Sequence, residues 1–126
     1  MKAVALTLTL IFLGSFSYAQ TQKVTVYCQV YPTLGGLQID YNDLDKFLPD
    51  SLKTTVLKNY KKQYHLRNAD VNNLILLLNT DGWQLVSTYY RESLGTNFYI
   101  LSKDILLDEA AHQLYIQKLK SSFKPN

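Results

Sequence analysis

The chain has 126 residues, with 13 basic and 10 acidic side chains and a formal net charge of +3. That length argues for one domain, large enough to bury a core without covalent staples. The mild positive balance lacks the concentrated basic face that nucleic-acid binding needs, and one cysteine, Cys28, rules out an internal disulfide.

The first residues, MKAVALTLTLIFLGSFSYAQ, have the pattern of a cleaved export signal. Lys2 supplies the positive start, Ala3 to Leu13 an apolar run, and Ser17-Tyr18-Ala19 small residues at the two positions a signal peptidase reads. The apolar run is shorter than the ~20 residues a spanning helix wants. Cleavage is expected after Ala19, leaving 107 of the 126 residues, from Gln20 onward, in a periplasmic or extracellular setting. No cysteine follows the cut directly, so a lipid anchor is not expected.

QKVTVYCQVY reads as a period-two strand. Val24, Val26, Cys28 and Val30 lie on one side, and Thr25, Tyr27, Gln29 and Tyr31 on the other. Cys28 on the apolar side is expected to be a buried, inert thiol. Pro32 ends the strand, Gly35-Gly36 turns the chain, and LQIDY returns as the second arm of a hairpin. Residues 50–64 fit either a helix starting at Asp50, with Leu52, Val56, Leu57, Tyr60 and Tyr64 on one face, or a long loop, because Thr54-Thr55-Val56 is a β-branched run that weakens a helix. A firmer helix covers 70–81. Asn68 or Asp70 can cap it, Val71, Leu74, Ile75 and Leu78 form its stripe, and Gly82 supplies a left-handed stop.

Trp83 opens the next strand, ESLGTN turns the chain, and Phe98-Tyr99-Ile100-Leu101 returns. Residues 105–123 read as a C-terminal helix with Asp108 and Glu109 in its first turn and Lys118 and Lys120 toward its end. The order predicts an α+β fold: a small antiparallel sheet of about four strands in two hairpins, with a central and a C-terminal helix packed on it. Residues 20–126 are read as one such domain.

Tyr27-Cys28, Gly82-Trp83-Gln84-Leu85-Val86 and Phe98-Tyr99-Ile100-Leu101-Ser102-Lys103 together resemble a family of small domains of unknown function built around a G-W-E-L-V core and a hairpin. The resemblance spans residues 23–104. It departs at Gln84, where the family commonly has an acidic residue, and the 43–67 segment does not match. It implies an α+β fold and carries over no activity and no catalytic residues.

The residues offer little chemistry. His65 and His112 belong to no metal-ligand pattern, and a zinc site would need Cys28 to converge with both. Asp40, Asn42, Asp43 and Asp45 are acidic and amide groups in a turn, but the calcium-loop spacing breaks at Leu44. No nucleophile elbow or phosphate loop is present. Lys58, Lys61, Lys62, His65 and Arg67 read as a solvated face, so contact with a membrane surface is not expected. No catalytic residue, cofactor or metal is expected. Gly82, Trp83, Leu85 and Cys28 are expected to be structural anchors, with Trp83 sealing the core beside Leu85 and Phe98 or Tyr99; the opposing reading makes Trp83 a stacking platform.

Tyrosine is the compositional oddity, with nine residues after the predicted cut. Tyr27, Tyr31, Tyr90 and Tyr99 are the candidate binding residues, on a shared sheet face that would suit a protein surface. The plainer alternative places the C-terminal helix over those rings. The expectation is therefore a non-catalytic exported domain that binds a protein or envelope component. A self-associating envelope protein, or an enzyme assembled from scattered groups such as Asp40, Tyr41 and His65, stands as the alternative.

Overall fold

A computed structural model describes residues 20–123; the predicted export signal lies outside them. The elements run β1 (Thr21–Thr33), β2 (Gly36–Asp40), α1 (Leu44–Phe47), α2 (Asp50–Val56), α3 (Tyr60–Gln63), α4 (Val71–Thr80), β3 (Gln84–Arg91), β4 (Thr96–Asp108) and α5 (Glu109–Ser122). The four strands form one antiparallel sheet in the order β2-β1-β4-β3. The protein is an α+β domain whose two hairpins are joined by the long β1–β4 pair.

Alternation along β1 decides which side is covered. Val24 faces Ile105, Cys28 faces Leu101 and Val30 faces Tyr99. On this side Val26, Cys28, Val30, Leu37, Leu101 and Leu107 meet Leu44, Leu48, Val56, Leu74, Leu78 and Tyr115 from the helices in one core. Burial of this apolar area is what drives the sheet and helices together. No helix among the described residues is long and apolar enough to cross a membrane.

α4 ends in a reciprocal pair of bonds. The Gly82 N–H donates to the Asn79 carbonyl and the Trp83 N–H to the Leu78 carbonyl, both at 3.1 Å. Gly82 has φ of +89°, so the glycine is used as expected, in a Schellman closure. This closure drops Trp83 into the core at 1% exposure, tilted against Tyr41 with ring centres 5.9 Å apart. Cys28 is fully enclosed, and burial first, then the Asp40 carboxylate, pushes its thiol up to about 12.

Two expectations change, at Leu85 and at the start of the C-terminal helix, and two alternatives are resolved. Leu85 is 45% exposed and does not stand beside Trp83 in the core. A β-bulge lies between Leu85 and Ser87, and every residue of this edge strand is exposed. Phe98 lies on the opposite side of the sheet, so Tyr99 is the neighbour that packs on the core. The region 50–64 is two short helices broken at Leu57–Asn59, because the β-branched run ends α2 while Val56 and Tyr60 are both drawn into the core. β4 continues to Asp108, since Ile105 and Leu107 keep the inward alternation against β1. The Asp108 carboxylate then accepts the Ala111 N–H at 2.7 Å and starts α5 there.

Candidate functional site

The side of the sheet away from the helices is the first candidate. Lys23, Thr25, Tyr27, Gln29 and Tyr31 of β1 share it with Phe98, Ile100, Ser102 and Asp104 of β4 and with Ser87, Tyr89 and Arg91 of β3. α5 packs on the other side, where Tyr115 joins the core and meets Phe47 edge-on with ring centres 6.4 Å apart. Among the described residues the tyrosine-bearing side is therefore bare.

Across this bare side runs a stack of three rings. Phe98 lies between Tyr31, at 4.5 Å between ring centres, and Tyr89, at 5.2 Å, both inclined by 21°. The Arg91 guanidinium sits 5.7 Å from the centre of the Phe98 ring. Phe98 is only 3% exposed although no helix among the described residues covers it; its neighbours on the sheet bury it. Offset stacking and the cation–π contact each add about 0.5–1.5 kcal/mol beyond burial, so the rings hold one another in place. Tyr27, at 50% exposure, extends the surface along β1. Both hairpin turns lie at the Phe98 end of the sheet. There Tyr31, Leu34, Leu94 and Thr96 line a shallow apolar depression of about 730 Å3.

Of the four tyrosines expected to form one face, Tyr27 and Tyr31 do so. Tyr99 opposes Val30 on the covered side and Tyr90 opposes Asn97, one residue out of phase with Tyr89. The structure does not bring Tyr90 and Tyr99 to the face of Tyr27 and Tyr31; Tyr89, Phe98 and Arg91 take their places. The bulge resets the alternation of β3. The alternation of β4, read outward from inward-facing Leu101, was available in the sequence and assigns Phe98 to the bare side.

The second candidate is a polar cluster beside a cleft of about 370 Å3 lined in part by Tyr41, Lys58, Asn59 and Tyr60. The Lys58 ammonium donates to one Asp81 oxygen at 2.7 Å, the Tyr60 hydroxyl donates to the other, and the Tyr41 hydroxyl donates to the Lys58 carbonyl at 2.8 Å. The bond from Lys58, then that from Tyr60, holds the Asp81 carboxyl below its ordinary range. Burial, then the bond to Asp81, pushes the Tyr60 phenol far upward; burial does the same for Tyr41. At neutral pH both phenols keep their protons and both oxygens of the carboxylate are engaged. The cluster ties the α2–α3 link to the end of α4, and its carboxylate is a poor base for a substrate. No local pattern announces a contact between residues 58 and 81.

Asp40 accepts the Asn42 N–H at 2.9 Å and His65 is exposed, so neither contributes a hydrogen bond to the Tyr41 cluster. Among the described residues no three His, Cys, Asp or Glu side chains stand close enough to hold a metal ion. No family model, curated protein or solved structure matches the chain, and the likeness to the G-W-E-L-V family rests on the quoted residues alone.

Proposed function

We propose that the chain is a non-catalytic, exported binding domain that offers the bare side of its sheet to a protein or another envelope component. The observation that carries this reading is the Tyr31–Phe98–Tyr89 stack beside Arg91, on a side of the sheet that no helix among the described residues covers. Tyrosine, phenylalanine and arginine are enriched at protein interfaces: the aromatic rings bring large area with few rotamers to freeze, and the arginine brings a planar cation that pairs with carboxylates and stacks on rings. Tyr27, Leu34 and Leu94 surround the stack with exposed apolar area of the kind that marks an interaction surface.

The test is affinity capture from an envelope extract with the parent and with a Tyr27→Ala/Arg91→Ala variant. Both positions are exposed, so the fold should persist. The parent should retain a reproducible partner through mild washes, and the variant should lose at least ~10-fold of it, as expected when interface anchors worth more than about 1 kcal/mol each are removed. A partner held equally by both, or none held by the parent, contradicts the reading.

A further inference from the structure

The two edges of the sheet differ. β2 is covered at its Gly36–Leu37 end: the Leu37 N–H donates to the Leu66 carbonyl at 3.1 Å, and Gly36 lies against the backbone of Leu66 and Arg67. Among the described residues β3 pairs only with β4, and all of Gln84–Arg91 is exposed. Natural edges are usually guarded by internal charges, proline or bulges. β3 carries no proline, its only charge is the terminal Arg91, and its bulge is confined to Leu85–Ser87. The regular stretch Ser87–Arg91, with Thr88, Tyr89 and Tyr90 at its centre, is left unguarded and rich in strand-forming residues.

We propose that two copies of this chain pair antiparallel along Ser87–Arg91 of β3, with Tyr89 on the two-fold axis, so that two four-stranded sheets become one. This stands apart from the binding reading and does not depend on it. The register follows from the pleat. A two-fold normal to the sheet keeps each side continuous, so opposed residues must face the same way and the axis must pass through a residue rather than between two. Centring on Tyr89 alone engages the whole regular stretch. It sets Thr88 against Tyr90 of the second copy, and Ser87 against its Arg91.

The side chains suit that register. Tyr89 meets Tyr89 of the second copy, so the Tyr31–Phe98–Tyr89 stack continues across the axis as six rings. Tyr90, 61% exposed on the other side, gains a threonine neighbour. The two arginines stand roughly 13 Å apart along the strands, four residues at ~3.3 Å each, beyond the ~8–10 Å over which exposed charges interact at physiological salt.

Sedimentation equilibrium over a concentration series tests this with the protein that begins at Gln20, because the whole core lies within residues 24–119. Thr88→Lys/Tyr90→Lys opposes like charges twice in the proposed register and should weaken the dimer at least ~10-fold. Thr88→Lys/Tyr90→Glu opposes unlike charges twice and should restore it. Unchanged emission from buried Trp83 shows that both variants are folded. A parent that is monomeric throughout overturns the proposal. So does a Lys/Lys variant that dimerises like the parent, or a Lys/Glu variant as weak as the Lys/Lys one.

Discussion

Two side chains tie distant parts of the chain together. Trp83 is enclosed on leaving α4, with Tyr41 across from it. Trp83→Ala should cost about 3–5 kcal/mol, a large part of the ~5–15 kcal/mol that stabilises such a domain, and urea denaturation should show a sharp fall in midpoint. An unchanged midpoint would place the indole outside the core. Asp81 makes stability depend on acid. Its folded pKa lies below the unfolded value because Lys58 and Tyr60 bond to the charged form. Its contribution is therefore fully present above the unfolded value near ~4 and is lost as pH falls through the lower folded value. Asp81→Asn should be less stable than the parent at neutral pH, and the gap should close in acid. A gap that stays constant between neutral pH and about pH 2 would show that the carboxylate charge contributes nothing.

At the scale of elements, the paired glycines of the first hairpin separate turn from packing. A Cβ on Gly36 would stand 2.5 Å from both the Arg67 Cα and the Leu66 carbonyl oxygen, and Gly36 has φ of +116°; a Cβ on Gly35 would meet only Thr33 Oγ1 at 3.9 Å. Gly36→Ala should cost at least about 1–3 kcal/mol from backbone strain alone and speed exchange of the Leu37 amide. Gly35→Ala should be close to neutral on both measures, and equal effects would refute the cover at the Gly36–Leu37 end of β2. Both hairpins, α4 and the Gly82 stop were legible because period-two alternation, a capping Asp70 and a glycine at the helix end are local signals. The break at Leu57–Asn59 and the reach of β4 to Asp108 were not. Each depends on a partner far along the chain: the core that accepts both Val56 and Tyr60, and the β1 residues Thr21–Thr25 that pair with Asp104–Asp108.

For the molecule as a whole, the decisive feature is which side of the sheet the helices cover. Sequence periodicity sorts β1 into an apolar and a tyrosine-bearing side but leaves α5 free to cover either. The structure places Tyr115 in the apolar core, and among the described residues the other side is bare. The membership of that bare side was only half legible, since Tyr27 and Tyr31 follow from alternation whereas Tyr89 depends on the bulge after Leu85. The direct test is photo-crosslinking in the native envelope, with a benzophenone amino acid placed singly at Tyr27 on the bare side or at Tyr64, which is 43% exposed on the helical side. Tyr27 should yield a discrete adduct that Arg91→Glu abolishes, and Tyr64 should yield none. Adducts from Tyr64 alone, or none from either position, would contradict the claim that this domain works through the bare side of its sheet.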